Sequence, residues 1–150
     1  MKRTILLLGD PELYEVSEEV KIEELQQMKQ VQEDLKDTLL AFRARYGTGR
    51  AIAAPQIGVK KRVIYRHLDT PVLFINPRLS FPEQDMIDVL DDCMSFPDLL
   101  VRVKRHKRCI IYYKDLEWND CSMELKGDMS ELIQHEYDHL DGILATLRAV

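Results

Sequence analysis

Cysteine is scarce in this chain, with three in 150 residues, an odd number too small for a disulfide framework. Thiols used this sparingly suit a reducing compartment, where a cysteine is buried or binds metal. Long apolar runs are also missing. Ile5 to Leu8, the longest near the start, is too short for a secretory signal core or a membrane span. No internal repeat, low-complexity tract or Ser/Gly linker divides the chain. An excess of positive charge is lacking too: 21 Lys and Arg stand against 26 Asp and Glu, so nothing demands a nucleic acid or an anionic membrane as partner. Hydrophobic residues at 45% and charged residues at 31% exclude disorder. The expectation is a soluble, cytoplasmic protein with one domain over residues 1–150 and a single sizeable core.

Patterning then gives elements. Thr4–Leu8 reads as a strand and Gly9-Asp10-Pro11 as a turn. Apolar residues at Ile22, Leu25, Met28, Val31, Leu35, Leu39, Phe42 and Tyr46 recur in steps of three and four, the face of a long helix that stops at Gly47-Thr48-Gly49. Short β-like runs follow at Arg62–Tyr65, Val72–Ile75, Met86–Leu90, Leu99–Val103, Arg108–Tyr113 and Ser122–Leu125. Pro71, Pro77, Pro82 and Pro97 punctuate them and are excluded from central ladder positions. Asp128, with Glu131 three residues on, reads as the cap of a second helix that ends at Gly142. The fold class is α+β: a long N-terminal helix, mostly antiparallel strands and a C-terminal helix.

That second helix carries His135-Glu136-Tyr137-Asp138-His139. Four residues at about 100° each return the second imidazole to the face of the first, one turn away. Two imidazoles so spaced chelate one divalent metal, and Glu136 beside them reaches a water without being a ligand. The competing interpretation is a solvated polar helix face. A catalytic site of this kind takes a third ligand, which is a carboxylate, a histidine or a cysteine. Downstream there is no further histidine and one carboxylate, Asp141. Upstream, Cys93 lies just after a predicted strand, in Asp91-Asp92-Cys93-Met94-Ser95, where a thiolate facing the helix would complete a Cys-His-His set. Gly49-Arg50-Ala51-Ile52-Ala53-Ala54-Pro55-Gln56-Ile57-Gly58 reads as a tight turn of small residues that offers the Gln56 amide as a donor.

Together and in this order, these stretches resemble the peptide deformylases. The family's G-x-G-[LI]-A-A-x-Q is followed from Gly49 to Gln56, with Ala51 at the second glycine. E-G-C-x-S is approximated by Asp91 to Ser95, and Q-H-E-x-D-H-L-x-G is matched in full by Gln134 to Gly142. Leu8 to Leu13 and Ile75-Asn76-Pro77 extend the likeness across nearly the whole chain.

The resemblance implies a metal-dependent hydrolase that removes the formyl group from the N-terminal methionine of nascent polypeptides. It assigns Cys93, His135 and His139 as ligands of one divalent ion, Fe²⁺ first, with Zn²⁺, Ni²⁺ or Co²⁺ able to take its place. Glu136 becomes general base and acid, and the Gln56 amide and the Met94 backbone N–H stabilise the oxyanion. Formylmethionyl peptides or nascent chains are the implied partners, with a contact to the ribosome. The implied location is bacterial cytoplasm, or an organelle after removal of a transit segment. Three departures stand out: Asp92 replaces a glycine, Ala51 replaces a glycine, and Asp91 replaces glutamate, so that its ion pair with Arg102 or Arg105 must be refitted. Asp92 and Ala51 also suit another small N-acyl group, and a metal-binding relative without catalysis is the third reading. Cys109, Cys121, His67 and His106 read as structural or solvated, and the basic run from Arg102 to Arg108 as a solvated strand and turn.

Overall fold

The computed structural model describes residues 1–150. Helix α1 (Leu25–Tyr46) buries Met28, Leu35, Leu39 and Phe42 and ends at Gly47 in the left-handed conformation, φ 73°. Ile22 belongs to a preceding 3₁₀ turn, Ile22–Glu24, rather than to the helix. Strands β1 (Ala51–Ala53), β2 (Val63–Arg66), β3 (Val72–Ser80), β6 (Arg108–Lys114) and β7 (Asp120–Lys126) form a five-stranded sheet in the order β1-β2-β3-β6-β7. Strands β4 (Met86–Cys93) and β5 (Phe96–His106) form a separate two-stranded sheet, and all of these pairs are antiparallel. Helix α2 spans Asp128–Leu140.

Side-chain alternation along the strands sorts the core into layers. Ile52, Val63, Tyr65, Leu73 and Ile75 face α1 and pack with Leu35, Leu39 and Phe42. Their neighbours Ala53, Ile64 and Phe74 point the other way, joining Ile111 and Leu125 against Ile133 and Leu140 of α2. The large sheet is therefore covered on both faces. A third cluster, with Leu13, Cys93, Phe96, Val103 and Leu144, seats the β4–β5 hairpin against both ends of the chain. No helix is long and apolar enough to cross a membrane.

Several local expectations are corrected. Thr4–Leu8 joins no ladder. It crosses the site as an extended strap, Leu6 N–H donating to Gln56 O and Leu8 N–H to Ser95 O, each at 2.8 Å. The three residues of β1 are a short strand hidden in the small-residue stretch that reads as a turn. Prolines do enter strands. Pro77 sits in β3 where the register shifts between Ile75 and Arg78, a bulge that leaves the ladder without need of its N–H; Pro97 lies on β5 of the two-stranded sheet. At that bulge Asn76 takes φ 50°, and its amide brackets Val20, accepting at 2.7 Å and donating at 2.8 Å. The N-cap of α2 is Gly127, without a side-chain cap bond, so Asp128 and Glu131 form no capping box.

Past the end of α2, Gly142 holds φ 73°, and a Cβ there would lie 2.5 Å from Tyr14 O. Gly47 shares φ 73° but has open space around its missing Cβ. Gly47→Ala is expected to cost about 1 kcal/mol from the left-handed backbone alone. Gly142→Ala must also displace backbone and is expected to cost at least about 3 kcal/mol. Urea unfolding of the two variants checks the difference.

Candidate metal centre

Cys93 closes β4, and its register partner is Phe96, so Met94 and Ser95 are the two residues of the hairpin turn. That turn aims the Cys93 thiol at α2, where His135 and His139 occupy one face a turn apart. Cys93 Sγ lies 3.4 Å from His139 Nε2. One donor atom from each of Cys93, His135 and His139 falls within 4.8 Å of the others, and all three residues are buried. Metal–ligand bonds of about 2.0–2.3 Å set tetrahedral edges of roughly 3.4–3.7 Å, so the donor set fits one small divalent cation. A second observation agrees. Glu136 Oε1 is buried with no hydrogen-bond partner, an arrangement that is costly unless a ligand, water or cation serves it.

Gln56 follows β1 in a 3₁₀ turn, Ala54–Ile57. Its Oε1 accepts from Ala53 N–H at 2.9 Å, which fixes the amide so that Nε2 faces the thiol. Nε2 donates to Ser95 Oγ at 3.1 Å and lies 3.5 Å from Cys93 Sγ. Gln56, Cys93, Met94, His135 and Glu136 line one cavity of about 170 Å³, together with Phe42, Tyr46, Arg50, Ala51, Asp92, Glu131 and Leu132. Every candidate site residue read from the sequence is thus gathered here except His139, which sits behind the cavity wall with its Nε2 on the thiol.

A polar ladder, buried except at its Arg148 end and only in part brought out by sequence patterning, supports this cluster. Asp91 Oδ2 meets His135 Nδ1 at 3.1 Å and Arg105 Nη2 at 2.8 Å. Arg105 Nη1 reaches Asp138 Oδ2 at 2.6 Å, and Arg148 closes on both Asp138 oxygens at 2.6 and 3.0 Å. Of the two arginines expected for Asp91 the partner is Arg105, 3% exposed, while Arg102 points outward. Engaging His135 at Nδ1 leaves its Nε2 for a cation, the usual device for fixing a ligand's tautomer. Gln134 of the same motif ties α2 to β5: it accepts from His106 N–H at 2.9 Å and donates to His106 O at 2.8 Å. His106 is accordingly half-buried, stacked on Phe81 at 3.8 Å, rather than solvated.

Electrostatics within the cluster follow from its burial. Desolvation opposes charge on Asp91, but His135 and Arg105 outweigh it and hold the carboxyl below its ordinary range. His135 is likewise desolvated, yet the Cys93 sulfur and Asp91 raise its pKa well above the usual value. His139 is pushed well below, by burial first and then by its charged neighbour. Burial, which outweighs the lowering effect of His135, pushes Glu136 up to about 7.

A thiol and two imidazoles from one helix face, with a carboxylate beside them for proton transfer, are the groups a mononuclear metal hydrolase uses. Comparison with known proteins makes the assignment specific. The family model described as polypeptide deformylase matches residues 2–150, and this chain belongs to that family. It is 34% identical to a peptide deformylase of Dictyoglomus thermophilum over 152 residues, spanning 100% of this chain and 94% of the relative. Among solved structures, the peptide deformylase of Thermotoga maritima superposes with a TM-score of 0.89 at 29% identity, covering 100% of this chain and 99% of the other. The actinonin-bound peptide deformylase of Acinetobacter baumannii gives 0.91 at 26% identity, covering 100% and 99%.

The buried groups generate two expectations. Arg105→Met removes the cation buried between two carboxylates, leaving Asp91 only His135 and Asp138 only Arg148, and is expected to cost about 3 kcal/mol, whereas Asp91→Asn should fold and weaken divalent-metal affinity about 10–100-fold; denaturant titration and chelator competition check both. The folded pKa of Glu136, about 7, lies above its unfolded value of 4.5. Its contribution is therefore complete below pH 4.5 and lost as pH rises through 7. Metal-free Glu136→Gln protein is expected to be more stable than wild type at about pH 8, with the difference fading toward about pH 5 in thermal melts.

Proposed function

We propose that Cys93, His135 and His139 hold one divalent cation, Fe²⁺ under anaerobic conditions, and that residues 1–150 act as a single catalytic domain. The reaction is hydrolysis of the formyl amide at the N-terminal methionine of nascent chains, in the cytoplasm. The observation that carries this reading is the convergence of the Cys93 thiol, His135, Glu136 and the Gln56 amide on one small cavity, with His139 against the same thiol. A thiolate–imidazole set is soft enough to suit iron, zinc, nickel or cobalt. When bound, the cation supplies Lewis acidity toward water and the formyl oxygen.

The protein's own residues supply the rest. Glu136, desolvated and unpartnered at Oε1, is poised to take the proton of the attacking water and pass it to the departing amine. The C–O bond forms first, opening the carbonyl to an oxyanion, and the C–N bond breaks as that adduct collapses with the proton from Glu136 on the amine, leaving formate and a free α-amino group. The Ala53 bond sets the plane of the Gln56 amide; one Nε2 hydrogen is held by Ser95 Oγ, and the other, in long contact with Cys93 Sγ, is the one offered when negative charge develops on the formyl oxygen. The Met94 backbone N–H, in the turn beside Cys93, is the second donor in this reading.

Glu136→Ala is expected to retain metal while losing about 10²–10⁴-fold in formate release. Gln56→Ala should lower kcat about 10²–10³-fold with metal content unchanged. Formate production from a formyl-Met peptide, alongside metal analysis of each variant, is the measurement. Retained turnover in Glu136→Ala contradicts the assignment.

A further inference from the structure

The cavity before Cys93, His135 and Glu136 is lined by two unlike sets of residues. Phe42, Tyr46, Met94 and Pro97 form one, and the same four line an adjoining groove that continues past Ile5 and Leu7 of the N-terminal strap. That shared set joins the cavity to the groove, which offers the remainder of a bound peptide a way out. The cavity is also lined by Arg50, Glu131 and Leu132 and by exposed Asp92, none of which lines that groove. Glu131 stands four residues before His135 on α2, hence on the same helix face. Arg50 immediately precedes β1, and both Arg50 and Glu131 are half-buried. Neither charged head is within hydrogen-bond or ion-pair range of another side chain, although the Arg50 charge is felt by Glu131 and Glu136, so both heads have donor or acceptor capacity left for a ligand.

A formyl carbon bears only hydrogen, so the substituent beside the cleaved bond that needs a wall is the peptide's first side chain. A thioether laid against Arg50 and Glu131 covers two charged groups and returns nothing for the water they lose. A side chain of methionine length with a hydrogen-bonding end suits them better. Its methylenes rest on Leu132, a terminal oxygen accepts from Arg50, and an amide N–H donates to Glu131.

We propose that Arg50 and Glu131 determine specificity for the first side chain, favouring a methionine-length residue with a polar end, such as glutamine or methionine sulfoxide, over the thioether. The proposal rests on the deformylase reading and refines its substrate class. Methionine sulfoxide keeps it compatible with chains that begin with methionine, because oxidation makes that side chain polar without shortening it.

The test uses nickel-loaded protein and four peptides, formyl-X-Ala-Ser, with X methionine, norleucine, glutamine or methionine sulfoxide. Formate release is expected to give kcat/KM for the two polar peptides about tenfold or more above norleucine. Arg50→Leu should erase the advantage of both, and Glu131→Leu that of glutamine alone. Calorimetric binding of the same peptides to nickel-loaded Glu136→Ala protein reads the ranking without turnover. Absence of formate release from all four peptides removes the deformylase reading, and calorimetry still decides the specificity. Equal affinities, or a tenfold preference for norleucine that survives both leucine substitutions, overturn the proposal and put the first side chain against Phe42 and its neighbours.

Discussion

Arg105 lies buried between Asp91 at 2.8 Å and Asp138 at 2.6 Å, and through them joins the strand that ends in Cys93 to the helix that carries both histidines. Burial opposes its charge, but the two carboxylates more than offset that and raise its pKa above the ordinary guanidinium value. A cation gripped from two separate elements requires those elements to keep a fixed separation. An ion ladder does this with more directional precision than apolar contact, because a displaced partner leaves a buried charge uncompensated. Asp91 acts on both sides of the ladder. One of its oxygens meets both Arg105 and His135, so the support of the hairpin and the tautomer of His135 are set together.

The remaining architecture serves that geometry. The five-stranded sheet is covered by α1 on one face and α2 on the other, which presses the histidine face of α2 toward the Cys93 turn. The N-terminal strap bonds to Gln56 and Ser95, pinning the backbone of Gln56 and of the turn that follows the thiol. The proposed chemistry and stability pull against each other at Glu136, a buried carboxylate with an unpartnered oxygen. Burial readies it to accept a proton and burdens the metal-free fold.

Much of this is legible in the sequence. The 3.6-residue period marks α1, and the i, i+4 histidines place both imidazoles on one face of α2. Three ordered motifs bring Cys93 and Gln56 to the same centre. What escapes is governed by tertiary context. β1 has three residues, Ala-Ile-Ala, too few to show a period of two. Proline at 77 enters β3 because a bulge frees it from the ladder, and periodicity carries no signal for that. Asp138 stands at a fixed position of the third motif, but only the fold shows that it faces Arg105. Glu131 reads as a cap partner, yet its spacing of four from His135 already puts it on the cavity face.

Cobalt(II) titration of the metal-free protein under exclusion of oxygen, followed by absorption spectroscopy, is the decisive experiment for the shared cation. Joint coordination by Cys93, His135 and His139 predicts saturation at one equivalent, with tetrahedral visible bands and a thiolate charge-transfer band that Cys93→Ser abolishes. Saturation without a thiolate band, or a band that persists in Cys93→Ser, contradicts it.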